Sequence, residues 1–167
     1  MQGFDTVQVR GGTLVLTGNN QNFTGQTTVY NGAILRARAQ SLPTTSGDNT
    51  NNIILNQGGE LNIDQPYADD GTYVGQIVGS GFVRKTGGGT VTLSPDSGKN
   101  TYSGDTLIEN GFLAISSNNA LGVDANGASL GNVILVEILS IQRLVVFLCY
   151  LILHLLTDPF LLIMVEV

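Results

Sequence analysis

Two stretches of this chain repeat each other: residues 25–35 (GQTTVYNGAIL) and residues 104–114 (GDTLIENGFLA), with paired glycines seven apart in both. A shorter pair precedes them, residues 12–18 (GTLVLTG) and 89–95 (GTVTLSP), and the spacing from first copy to second is two shorter here than in the longer pair. That two-residue difference falls between Ser94 and Tyr102, where Pro95, Asp96, Ser97 and Gly98 mark a turn. An aromatic with small polar neighbours precedes the first glycine of each longer copy, in Asn22-Phe23-Thr24-Gly25 and Thr101-Tyr102-Ser103-Gly104. A fixed internal period restricts the fold to architectures that stack copies of one unit.

Within each copy the residues alternate. Leu14 and Leu16 face away from Thr13, Val15 and Thr17, and Val91 and Leu93 face away from Thr90, Thr92 and Ser94, which is the pattern of a strand with one buried face. The same reading predicts short strands at 27–30, 33–37, 52–56, 60–64, 73–78, 82–86, 106–109 and 112–116, separated by Gly, Asn, Asp and Ser. Short, evenly spaced strands suit a sandwich, a barrel or a solenoid, and the repeat selects the solenoid. One coil cannot bury its apolar side alone, whereas a stack of coils encloses a continuous core between parallel sheets. With coils of roughly 20 to 25 residues, residues 1–132 supply about five or six. The expected fold is an all-β, right-handed parallel β-helix.

Composition then divides the chain. All 22 glycines lie at or before Gly131, whereas 23 of the 35 residues from Val133 onward are Leu, Ile, Val or Phe. Residues 1–132 hold ten acidic against six basic residues and no basic run, which excludes nucleic acid as a partner because phosphate binding needs a clustered basic face. They also contain no cysteine for a disulfide or a thiolate metal site. The opening MQGFDTVQVRGG lacks the basic and apolar regions of a secretory signal.

Residues 79–122 (GSGFVRKTGGGTVTLSPDSGKNTYSGDTLIENGFLAISSNNALG) closely resemble the autotransporter-associated β-strand repeat of bacterial passenger domains. The resemblance rests on Lys85, Gly87, Gly89, Val91, Leu93, Asn100, Thr101, Tyr102, Gly104, Thr106, Ile108, Gly111, Leu113, Ala120, Leu121 and Gly122. The first copy is looser, with Phe23 for the aromatic, Leu42-Pro43 near its end, and Arg36 where the second copy has Ile115. The resemblance covers nearly all of residues 1–132 and none of the tail. It implies a fragment of a passenger, a structural or adhesive scaffold at the cell surface or outer membrane or secreted. The expected partner is a host or cell-surface ligand, with no catalysis, cofactor or metal. The family's C-terminal translocator barrel is missing from this sequence, as is a signal peptide.

Other motifs compete with that reading. Residues 79–86 (GSGFVRKT) resemble a phosphate-binding loop, but Arg84 stands where glycine is required, and Gly87-Gly88-Gly89 with a strand follows instead of a helix. Parallel β-helices also host polysaccharide lyases and glycosidases working through paired acids. Glu60, Asp64, Asp69 and Asp70 are the candidates for such an alternative, a carbohydrate-active β-helix; Glu60 and Asp64 share a strand face, and no basic or His partner is expected beside them. A solvated loop and outer strand face is the plainer expectation. Gly87-Gly88-Gly89 lacks the following Asp of a calcium-binding nonapeptide. Cys149 and His154, both in the tail, lack the further ligands of a zinc site. Binding on a scaffold is expected from the loops at 40–51 and 64–73.

The tail, residues 133–167, forms the second expected domain, hydrophobic and helical. The repeat stops in mid-coil after Gly131-Asn132, which favours a shifted reading frame; the rival is a membrane anchor, a helix over 134–156 that hosts Glu137 and Arg143 near one end.

Overall fold

The structure, a computed structural model, describes residues 6–20, 22–23, 25–44, 51–96 and 98–136. Its strands are β1 (Thr6–Val9), β2 (Gly12–Leu16), β3 (Gln26–Val29), β4 (Ala33–Ala37), β5 (Asn51–Leu55), β6 (Glu60–Asp64) and β7 (Gly71–Tyr73). They continue with β8 (Gln76–Gly79), β9 (Phe82–Thr86), β10 (Thr90–Leu93), β11 (Thr101–Tyr102), β12 (Thr106–Ile108), β13 (Phe112–Ile115) and β14 (Val133–Leu135).

Three sheets result: β1-β3-β5-β8-β11, then β2-β4-β6-β9-β12-β14, then β7-β10-β13. Each strand pairs in parallel with the one directly above or below it. The chain therefore winds as a parallel β-solenoid, in which the three coils β5-β6-β7, β8-β9-β10 and β11-β12-β13 visit the three sheets in turn. Coil length is not constant: the coil that carries Thr6 onto Gln26 is shorter than those that carry Thr27 onto Ile53 and Thr106 onto Val133. Six strands in the second sheet, spaced about 4.8 Å apart, give a stack of roughly 24 Å.

Alternation fills the interior. On the second sheet Leu35, Leu61 and Val83 form one inward row. Val29 and Leu55 stand in an inward row of the first sheet, and Val91 and Leu93 point inward from the third; these side chains are fully or almost fully buried. Burying a side chain of this size contributes about 1.5 to 3 kcal/mol.

The corners explain the glycines. Gly59, Gly81, Gly104 and Gly131 occupy the turn between the first and second sheets in successive coils. A Cβ on Gly81 would overlap the Gly59 carbonyl oxygen, one on Gly104 the Gly81 oxygen, and one on Gly131 the Gly104 oxygen. Coils can stack at sheet spacing there only because no side chain intervenes.

The internal repeat does not coincide with the coil. β2 and β4 lie in the second sheet, whereas their counterparts β10 and β13 lie in the third; β3 lies in the first, its counterpart β12 in the second. Register leads from Thr28 through Ile54 and Val78 to Thr101, three coils along. The repeat equivalent of Thr28 is instead Leu107, which lies past Thr101, round a corner and on the next sheet. What repeats is thus a strand-corner-strand unit, β3–β4 in one copy and β12–β13 in the other, which spans the first and second sheets in the first copy and the second and third sheets in the second.

Two expectations need correction. The single strand predicted at 73–78 is broken at Val74-Gly75, where the chain turns from the third sheet to the first. A Cβ on Gly75 would come within 2.7 Å of Asn52 Oδ1, so the glycine makes that corner. The change of structure expected after Asn132 does not occur there: β14 pairs with β12 from Thr106↔Val133 to Ile108↔Leu135, and the Val136 amide donates to the Ile108 carbonyl at 2.9 Å. A ladder reads backbone groups, and the β-branched Val133 and Ile134 suit a strand whatever the composition that follows. The helix and membrane expectations for the rest of the tail lie outside the described residues. Among the described residues no helix is long and apolar enough to cross a membrane.

Candidate interaction surface

The four acids singled out from the sequence fall on the outer side of β6 and on the corner loop between β6 and β7. Each is engaged. Arg84 Nε donates to Glu60 Oε1 at 2.8 Å, and Arg36 Nε donates to Asp64 Oδ2 at 3.0 Å. Asp69 accepts from Arg38 Nη1 at 3.2 Å and from Gln40 Nε2 at 3.0 Å, while Asp70 Oδ1 accepts the Thr90 amide at 2.8 Å. The expectation that no basic partner accompanies these acids is therefore wrong for three of them. Their arginines come from neighbouring coils, far away in sequence, and only register brings them together.

The loop is fixed from beneath. Gln65, fully buried, accepts the Ala39 amide at 3.1 Å and donates to Gln40 Oε1 at 3.2 Å, joining the 3-10 turn Ala39–Ser41 to the corner. Ala68 takes a positive φ of 60°, which turns the loop between the exposed Tyr67 and Asp69. A glycosidase needs one acid held protonated opposite a second carboxylate. Here Glu60, Asp64 and Asp69 are each bonded to an arginine rather than set opposite a second carboxylate, so the arrangement serves charge pairing.

The stretch resembling a phosphate loop is a corner followed by β9. Lys85 points inward beside Ile63 and is fully buried. Its Nζ donates to the carbonyls of Thr86 at 2.6 Å, Gly87 at 2.7 Å and Asn110 at 3.0 Å, so the ammonium clips one corner to the next coil and faces no phosphate. Burial pushes its pKa down, with the Asp64 carboxylate opposing. Parity held the signal: Lys85 lies two residues from Val83 in an inward row.

Of the loops expected to bind, 64–73 is described throughout; of 40–51, residues 45–50 lie outside the described residues. Between them the outer side of β2 and β4 borders a cleft of about 470 Å³ whose lining includes Arg36, Arg38, Gln40, Asp64 and Pro66. Among the described residues no three His, Cys, Asp or Glu side chains converge as metal ligands. Cys149 and His154 lie outside the described residues.

Comparison with known proteins agrees with this architecture. The Passenger-associated-transport-repeat family matches residues 11–37 and 83–115. These segments run from β2 through β4 in the first copy and from β9 through β13 in the second. An adhesin of Brucella suis biovar 1 (strain 1330), the BmaC autotransporter, is 36% identical over 133 residues, covering 69% of this chain. The chain spans about 4% of that relative's length. No solved structure matches. The solenoid is autotransporter passenger material, and the chain belongs with the proteins that carry the passenger-associated transport repeat.

Proposed function

We propose that this solenoid is a non-catalytic, adhesive scaffold at the bacterial surface or outer membrane, which holds its outer face and corner loops toward a host or cell-surface ligand. One observation carries the reading: a stack with an apolar interior and glycine-ladder corners, whose outward charges pair across coils, is repeat material of the kind found in an autotransporter adhesin. Stacked coils supply length and rigidity, because each coil rests on its neighbours through a full backbone ladder. Loops on such a rigid support are where binding groups are held in fixed relation.

Beads coated with the purified chain should remain on host epithelial cells under washing that removes albumin-coated beads. Equal loss of both would overturn the adhesive reading. A panel of polysaccharides incubated with the chain should return unchanged, and turnover of any of them would overturn the non-catalytic part.

A further inference from the structure

Among the described residues, the first two coils place no strand in the third sheet: β7 is that sheet's first strand, and the second coil arrives above it as the 3-10 turn Ala39–Ser41. Beside this gap lies the cleft of about 470 Å³, within the range of small-ligand sites. The chain is acidic, with a net charge of −6, yet the charged residues lining the cleft are Arg36 and Arg38 against Asp64. Arg36 on β4 and Arg38 in the extended backbone just past its end stand two residues apart on the same side, about 7 Å at Cα.

Both guanidinium groups are bonded to aspartates. Arg36 gives Nε and Nη2 to Asp64, and Arg38 gives Nη1 to Asp69. Their side chains remain 48% and 57% exposed, and exposed pairs of this kind are worth less than about 1 kcal/mol, so an incoming carboxylate can share or displace the aspartates at little cost. Arginine's planar fork suits a carboxylate in bidentate contact. The rest of the wall is two-sided, with the aliphatic side chain of Val15, paired beside Arg36 and 55% exposed, on one hand and the Gln40 carboxamide on the other. An apolar side chain beside amide and guanidinium donors matches a sugar ring, which offers a C–H face and a hydroxyl edge. A bare inorganic anion uses only the cationic half.

We propose that this cleft binds a carboxylated saccharide, with Arg36 and Arg38 receiving the carboxylate and the outward Val15 side chain meeting the ring. The assignment deepens the adhesive reading and rests on it. The carboxylate can belong to a uronic or to a sialic acid, and the two are separated by titrating the full chain with trigalacturonate and with sialyllactose, using lactose and acetate as controls. Saturable binding of one acidic saccharide, without binding of lactose or acetate, is expected. Arg38→Gln should weaken it by about tenfold or more, the loss of one charge-assisted contact. Arg38→Gln should keep the wild-type unfolding transition, and Arg36→Gln provides a second variant with the same expected loss of affinity. Equal affinity for lactose, no saturable binding of either acidic saccharide, or full affinity in both variants would overturn the assignment. Coated beads that hold to cells while the chain ignores acidic saccharides overturn the cleft and leave adhesion standing. Saccharide binding by a chain whose beads do not adhere overturns adhesion and leaves the cleft standing.

Discussion

The Gly104 amide donates to the Gly81 carbonyl at 3.1 Å, and a Cβ on Gly104 would overlap that same oxygen. The hydrogen bond that ties one coil to the next therefore requires that no side chain be present. Conformation is not the reason, since Gly104 is not among the glycines with positive φ.

Gly104→Ala should accordingly destabilise the solenoid by about 2 kcal/mol or more through overpacking against backbone that cannot move aside. Gly11→Ala is the control, because a Cβ there meets nothing within 4 Å and the backbone is unstrained. Urea unfolding should show a lower midpoint for Gly104→Ala and an unfolding free energy within about 0.5 kcal/mol of wild type for Gly11→Ala. Equal midpoints would show that the corner relaxes freely.

Much of the solenoid is legible in the sequence because strands announce themselves locally. The alternation around Leu14, Leu35, Leu61 and Val91 places β2, β4, β6 and β10 to within a residue or two. The two-residue β11 is too short to show a period, and Val74-Gly75 conceals a corner inside an otherwise strand-like run. The outer surface is hidden for a different reason. Arg36 and Asp64 meet because β4 and β6 stack with Ile34 on Glu60, but the coil between Thr6 and Gln26 is shorter and that between Thr106 and Val133 longer. No fixed period therefore assigns such partners from sequence.

Lys85 tests whether a buried ammonium steadies a corner. Lys85→Met keeps the stem but strips the Thr86, Gly87 and Asn110 carbonyls of their donor, and should cost about 2 kcal/mol at neutral pH. The pH dependence has a definite sign. With the folded pKa below 10.5, the unfolded chain binds more protons between the two values, so Lys85 makes stability rise with pH up to about 10.5. Lys85→Met should lack that rise when denaturant midpoints are compared between neutral pH and pH ~10, just below the ordinary lysine value.

Arg84 lies between Glu60 and Glu109, which it bonds in the coils on either side. Glu60 is only 7% exposed, so Arg84→Gln leaves a nearly buried carboxylate without its cation and should cost about 2 to 3 kcal/mol. Arg36→Gln breaks a pair whose side chains are 48% and 31% exposed and should cost less than about 1 kcal/mol. Thermal unfolding of the two variants side by side should rank them in this order. A larger loss from Arg36→Gln would show that exposure does not govern the pairs on this surface.

Alkaline pH should open the solenoid through its buried tyrosines. Burial raises the pKa of Tyr73, whose hydroxyl donates to the Pro43 carbonyl at 3.2 Å, and also that of Tyr102, which shares a 2.7 Å hydrogen bond with Thr106. Both phenols stay protonated in the folded chain while those of the unfolded chain ionise near 10.0. Their contribution is intact below pH 10 and declines as pH rises past it, because the unfolded state then sheds protons that the folded state retains. Tyrosinate absorbance should therefore rise in a cooperative step coincident with loss of the β-sheet signal. Tyr73→Phe should lower stability at neutral pH by about 1 kcal/mol, the net worth of one hydrogen bond. It should also flatten the fall above pH 10, since one of the two groups that drive it is gone. If the alkaline transition keeps its slope in Tyr73→Phe, Tyr73 does not drive the unfolding.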